Sequence, residues 1–490
     1  YIVDYIVKNT VGEYIKDKTI DEILEVKILD PACGSGSFLT RALQELMDII
    51  EEKLKNGEKS KSAQFSYFKD RLDLGQKSAI LERCIYGVDL DEKAVELAQL
   101  NLLLKILERE TRETRKRILP NMKDNIKNGN SLIDDSAVAG DKAFNWHAQF
   151  PNIFRQGGFD VVIGNPPYGA DLNEKERVWL ENKYKMKNTD TAVLFMKLAT
   201  DLLNKNGING FIIPKSFVYS AGWGEIREEL MEGLIDLVDC GKVWKEVLLE
   251  QVVYIYHKNK TYKTYNSLIR EKTTIKNVGE IDKKTIKEFG FLLNGISEEE
   301  LSLGKKIRKV GSFLNDYFTN SRGAIYQKYL KPQQKSKSDL KAIGGKQIGR
   351  YLIKEDVKGF IPKEEIKDEK AIIKPNSILV QRIIAHIENP NEHIEIMSSS
   401  ANTLDLNEYI IVDTINQLSN KGKVNSNLFL TILNSKLMSW YAYRFIFGKA
   451  IRAMSFDNPV SENFPVPIYS KIDRKQEQKI ISLVDEMLSL

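Results

Sequence analysis

The stretch Asp160-Val161-Val162-Ile163-Gly164-Asn165-Pro166-Pro167-Tyr168 constrains this chain more than any other. Its apolar half reads as a buried strand, and the two prolines must end it. Proline has no N–H to give to a sheet and fixes its own φ. The last side chains of the strand then stand at the carboxyl edge of the sheet, where open α/β sheets bind ligands. Asn165 offers a side-chain oxygen there, and Pro166 offers a backbone carbonyl that no local N–H claims. Two acceptors in a fixed frame suit a planar amino group, and Tyr168 adds an aromatic face. An exocyclic amine of a nucleobase would need that combination. A strand ending in a simple proline turn is the plainer reading of Pro-Pro alone, so the rest of the chain has to decide.

Upstream, Val26–Asp30 reads as a short strand, Pro31-Ala32-Cys33-Gly34-Ser35-Gly36-Ser37-Phe38 as a turn, and the residues from Leu39 to about Leu54 as a helix. Gly34 and Gly36 let backbone approach a ligand, and the helix start presents free N–H groups. The spacing is not G-x-G-x-x-G, so the dinucleotide fingerprint is not met. Arg83–Asp89 is the second strand, ending in an acid placed to accept from ribose hydroxyls. Ile126–Leu132 is a third, ending in polar residues that include Asn130. After the proline strand come a helix, Thr189–Asn204, and strands at Gly207–Pro214, Leu234–Asp239 and Gln251–His257. This alternation predicts an α/β fold, a doubly wound, mostly parallel, seven-stranded sheet, with the last two strands pairing antiparallel at one edge. Residues 259–300 are polar and charged and read as a linker. Residues 301–490 hold short mixed segments and one amphipathic helix, Asn427–Phe445, which predicts a second, mixed α+β domain.

Charge separates the two parts. Residues 301–490 carry 29 Lys/Arg against 20 Asp/Glu, and residues 301–350 alone carry 12 against 2. A local basic surface suits a polyanion; a solvated lysine-rich face is the alternative. Cys33, Cys84 and Cys240 are widely spaced with no metal-binding or disulfide pattern, which fits a reducing, cytoplasmic setting. The four histidines, His147, His257, His386 and His393, form no ligand set, so no metal is expected. No apolar run is long enough to span a membrane. Arg322, Arg350, Arg382 and Arg452 are candidates for phosphate or guanine contacts, each also readable as an ordinary surface charge. The chain opens at Tyr1 inside an apparent helix and is expected to be part of a longer polypeptide.

Asp30-Pro-Ala-Cys-Gly-Ser-Gly-Ser-Phe38, then Asp89, then Asn165-Pro-Pro-Tyr168 resemble the ordered motifs of gamma-class DNA adenine-N6 methyltransferases. Ile213-Pro214-Lys215-Ser216-Phe217 is also similar to that family. Ile432-Leu-Asn-Ser-Lys436 and Phe464-Pro-Val-Pro467 resemble, more softly, a TaqI-like specificity domain. The whole is similar to the methylase and specificity part of combined (type IIG) restriction-modification enzymes. The resemblance implies a Rossmann-like methyltransferase domain over 1–258 and a target-recognition domain over 301–490. It implies S-adenosylmethionine as cofactor, with Asp30, Ala32, Cys33, Gly34 and Gly36 at its methionine end. Asp89 would take the ribose hydroxyls, Leu90 would pack on the adenine, and Asn130 (or Asp134) would stand where the family reads the adenine amine. Asn165, Pro166, Pro167 and Tyr168 would be catalytic. Trp244 is either a second aromatic against the target base or a core tryptophan. The partner would be double-stranded DNA, bound by a monomer, with any nuclease outside this chain. The competing expectation is the same chemistry on RNA or on a protein glutamine.

Overall fold

The computed structural model describes the chain apart from residues 69, 111–118, 244–248, 291, 391, 423, 453 and 490. It divides into two units, Tyr1–Lys284 and Thr285–Leu490.

The first unit is built on one sheet of strands β1 (Ile28–Asp30), β2 (Ile85–Asp89), β3 (Ile126–Asn128), β4 (Phe159–Gly164), β5 (Leu203–Pro214), β6 (Leu234–Gly241), β7 (Gln251–His257), β8 (Thr264–Glu271) and β9 (Thr274–Asp282). Their order is β3-β2-β1-β4-β5-β7-β6-β8-β9. Strands β3, β2, β1, β4 and β5 are mutually parallel. Strand β7 runs antiparallel between β5 and β6. The central strands are apolar on both faces, as parallel strands covered by helices must be. Helix α1 (Ser37–Lys55) covers one face through Leu39, Ala42, Leu43, Leu46 and Ile50, which recur at three- and four-residue spacing. Burying a large aliphatic side chain of this kind contributes about 1.5–3 kcal/mol. Helix α2 (Glu92–Leu107) is capped by Asp91, whose carboxylate accepts from the Lys93 N–H.

The doubly wound architecture is as expected, but three details differ. The sheet has nine strands rather than seven, because 264–282 forms the hairpin β8–β9 where a linker was expected. Strand β9 is the edge of the sheet and mostly solvated, so it lacks an apolar signature. The hairpin turns at Lys272, with φ 56°, so no glycine marks it. Consequently the antiparallel pair β6–β7 lies inside the sheet, not at its edge. Lastly, β3 stops at Asn128, and Gly129 already turns to donate its N–H to the Asp89 carbonyl (2.9 Å).

The second unit holds small sheets, among them a four-stranded one ordered Phe318–Arg322, Ile415–Asn420, Ile378–Gln381, Ser398–Ser400. The expected helix Asn427–Phe445 is two helices, Ser426–Leu433 and Lys436–Phe445. The break is at Asn434, which is buried and turned onto Ser398: its Oδ1 accepts from the Ser398 N–H (3.1 Å) and its Nδ2 donates to the Ser398 carbonyl (2.9 Å). Ser435 then caps the following helix.

Candidate active site

Strand order fixes where the chemistry sits. The chain winds outward from β1 to β3 in one direction and from β4 to β5 in the other, so β1 and β4 flank the switch point of the sheet. Ligands bind outside the strand ends at such a point. Asp30 ends β1, Asp89 ends β2, Gly164 ends β4 and Pro214 ends β5. Because β7 runs the opposite way, its first residue, Gln251, lies at the same edge, paired with Pro214 on one side and Gly241 on the other.

Asp30 is 1% exposed. Its Oδ1 accepts from the Ala32 N–H at 3.0 Å, and among the described residues no lysine or arginine pairs with it. Burial pushes its carboxyl up to about 8, against the Ala32 hydrogen bond and helped by the Asp89 charge. Gly164 is next to it. A Cβ there would stand 2.6 Å from Asp30 Oδ1, so only glycine lets the proline motif leave the sheet at this point.

The turn after β1 is tied down on its far side. The Cys33 N–H donates to the Val88 carbonyl (3.0 Å), the Gly34 N–H to Asp89 Oδ2 (2.8 Å), and Ser131 Oγ to the Pro31 carbonyl (2.6 Å). Cys33 is buried, which pushes its thiol well above the usual range, so it is a packing residue rather than a nucleophile. Gly34 has φ +51°, and a Cβ on it would meet nothing within 4 Å: the turn is open on that side. The Asp89 oxygens accept one backbone N–H each, from Gly34 and from Asp91, and a carboxylate keeps further lone pairs for hydroxyl donors. Leu90 is 56% exposed beside it. Asn130 is half-buried, and its Oδ1 accepts from the Leu132 N–H (3.1 Å), within its own turn. Asp134 forms an ion pair with Lys183 instead.

The proline motif shows a different kind of order. Asn165 Oδ1 is buried and has no hydrogen-bond partner among the described residues. A buried acceptor left unpaired costs about 1–3 kcal/mol, which groups at functional sites tolerate for a reason. Pro166 is buried and Pro167 exposed, and the Pro167 carbonyl accepts from Thr191 Oγ1 (2.8 Å) at the start of the helix Thr191–Leu202. Tyr168 is half-buried. Its hydroxyl accepts from Gln251 Nε2 at 2.9 Å. Trp244 lies outside the described residues.

Three parts of the site were not singled out from the sequence. Asn128 donates through Nδ2 to the carbonyls of Asp89 and Leu90 (both 3.0 Å) and fixes the turn that carries them. Its signal was a polar residue ending a strand. Lys215, in the Pro-Lys-Ser-Phe stretch, is 2% exposed and joins Asp239 Oδ2 (2.7 Å) and Glu250 Oε1 (3.2 Å). Burial works to lower its pKa, and the two carboxylates overcome this and raise it. Gln251 carries no local signal. Among the described residues no three His, Cys, Asp or Glu side chains gather as a metal site requires, and no helix is long and apolar enough to cross a membrane.

The comparisons with known proteins fall on the same residues. Residues 83–243, from just before β2 to just after β6, match the model of the Eco57I restriction-modification methylase. This part of the chain is similar to that family. Residues 24–118 also match a model described as an RMKL-like methyltransferase domain. The type II restriction enzyme and methyltransferase RM.Eco57I of Escherichia coli is 39% identical over 47% of this chain and 24% of its own length. The putative type II restriction enzyme and methyltransferase RM.MjaORFECS2P of Methanocaldococcus jannaschii is 24% identical over 91% of this chain and 48% of its own. The chain thus spans from a quarter to about half the length of these curated relatives. Among solved structures, the type IIL restriction-modification enzyme MmeI in complex with DNA superposes with a TM-score of 0.61 at 12% identity, over 99% of this chain and 68% of that one. At that identity the likeness is one of fold alone.

Proposed function

We propose that this chain transfers the methyl group of S-adenosylmethionine to N6 of an adenine rotated out of duplex DNA, as the methylase and specificity part of a restriction-modification system. The observation that carries the reading is the buried Asn165 Oδ1, unpartnered among the described residues and next in sequence to Gly164, which lies against Asp30 at the switch point.

The residues present fit the cofactor. Asp30, buried with no cation beside it among the described residues, suits the methionine ammonium, and the open side of the Gly34 turn suits the methionine chain. Asp89 suits the ribose hydroxyls, the exposed Leu90 the adenine face, and Asn130 the adenine edge. S-adenosylmethionine, when bound, supplies an electrophilic methyl on a sulfonium.

The rest is the work of the protein. Adenine N6 is a poor nucleophile because its lone pair is delocalised into the ring. Asn165 Oδ1 accepts one N6–H and the Pro166 carbonyl the other, which favours a more tetrahedral nitrogen with its lone pair aimed at the methyl. The proton lost from N6 leaves along one of these hydrogen bonds to solvent, and no His or Glu base is required. Alignment of this kind supplies up to about 7–11 kcal/mol of a barrier. The base must leave the duplex to reach Asn165, and stacking on Tyr168 contributes about 1–3 kcal/mol towards that. A DNA substrate and three unpaired cysteines argue for work in the cytoplasm.

The test is transfer of labelled methyl from S-adenosylmethionine to mixed-sequence duplex DNA, with the product base identified by mass. N6-methyladenine that disappears in Asn165→Ala, with cofactor still bound, is the expected result. Label in RNA or protein glutamine but not in DNA would overturn the choice of substrate.

A further inference from the structure

Tyr168 is held by a residue 83 positions away in sequence, and the hold is built into the sheet. Gln251 is fully buried, and its Nε2 donates to the Tyr168 hydroxyl at 2.9 Å. Its backbone is fixed on both flanks: it pairs with Pro214 of β5 and Gly241 of β6. The residues around it are locked as well. The Lys215 N–H donates to the Glu250 carbonyl (2.8 Å), and Lys215 Nζ ties the side chains of Glu250 and Asp239 together. Three neighbouring strands are thus stitched at one edge by a buried ion cluster, with Gln251 presented from the middle strand. The second polar atom of its amide, Oε1, is buried and has no partner among the described residues. Packing alone does not explain this residue, because an apolar side chain would fill the place without leaving an oxygen unpaired.

We propose that Gln251 is a positioning residue for methyl transfer: it fixes the tilt of the Tyr168 ring, and so the plane in which the flipped base presents its amine to Asn165. The proposal rests on the reading of Tyr168 as the stacking ring. A tyrosine ring turns about two side-chain torsions. A hydrogen bond from a buried, sheet-anchored amide to its far end removes most of that freedom before the base arrives. The ordering is then complete in the free protein and is not charged to the reaction.

The test uses Q251L, Y168F and the double variant in the full chain, with a duplex carrying the adenine mapped in the wild-type reaction. Q251L should slow single-turnover methylation about tenfold, the equivalent of 1.36 kcal/mol. It should also weaken the emission gain of 2-aminopurine placed at the target position, while cofactor affinity and unfolding temperature stay near wild type. Y168F, which keeps the ring and loses the hydroxyl, should slow transfer by a similar factor. Adding Q251L to Y168F should then change the rate less than twofold, because the partner atom is already gone. Equal slowing by Q251L in both backgrounds, or an undiminished rate in Y168F, overturns the proposal. If Q251L does not fold, Y168F alone decides on the same criterion. A wild-type protein that methylates no nucleic acid would overturn the function proposed above, and the contact is then read without activity. In protein labelled with 3-fluorotyrosine, the Tyr168 fluorine resonance, assigned by its loss in Y168F, should be single and sharp and should broaden or split in Q251L. A resonance indifferent to Q251L sinks the positioning role by itself.

Discussion

Replacing Asp30 by asparagine should stabilise the ligand-free protein, and by more as the pH rises from 5 to 8. The carboxyl is 1% exposed, accepts one N–H from Ala32, and is pushed by burial from 3.8 to about 8. The folded pKa of this acid is raised, so between pH 4 and 8 the native state keeps a proton that the unfolded chain has released. Stability therefore falls across that window by about 1.4 kcal/mol per pH unit. At pH 7 the accumulated cost is about 4 kcal/mol, and at pH 5 about 1.5 kcal/mol. Asparagine keeps the shape and still offers Oδ1 to Ala32, but it has no charge to desolvate. In thermal unfolding followed at pH 5, 6, 7 and 8, the Asp30→Asn transition for the Tyr1–Lys284 unit should rise above wild type. At about 2–4 °C per kcal/mol the gap at pH 7 is of the order of 10 °C, and at pH 5 less than half of that. Saturating S-adenosylmethionine should reverse the order. A cation beside Asp30 offsets the charge in the wild type and has no partner in the variant, so the ligand stabilises the wild type more. A ligand-free variant no more stable than wild type at pH 7, or a gap that does not widen between pH 5 and 7, would refute the claim that Asp30 is a buried carboxyl whose charge is left without a cation.

Lys215→Met should destabilise by about 3–5 kcal/mol in denaturant unfolding, since it leaves Asp239 and Glu250 with no buried cation between them; a loss below 1 kcal/mol would mean the cluster is solvated. Gly36→Ala should weaken cofactor binding, measured by calorimetry, and should cost at least about 1 kcal/mol, because the residue has φ +82° and a new Cβ would stand 3.1 Å from that of Ala98. Binding of the whole chain to duplex DNA should weaken with salt, with a log–log slope of about −0.9 per phosphate contact; a flat line would count against a nucleic-acid partner.

What is legible in the sequence is what the backbone enforces locally. Pro166 and Pro167 have to end β4, Gly34 and Gly36 have to mark a turn into a helix, and acids at Asp30 and Asp89 have to close apolar strands, whatever surrounds them. These local features alone bring most of the expected site to one edge of the sheet. What is illegible depends on which strands become neighbours. The hairpin β8–β9 is polar because one of its strands is an edge, and it turns on a lysine. Asn434 breaks a helix of good periodicity only because Ser398 is within reach. Gln251 is the sharpest case. It opens a run of apolar residues and would be read as the first residue of a core strand. Its meaning arises because β7 is inserted backwards between β5 and β6, so that the start of this strand meets the ends of the others. One reversed strand converts a distant glutamine into a neighbour of Tyr168. The same reversal sets Glu250 beside Lys215, so the groups that steady the ring are brought to the site by strand order and not by any motif.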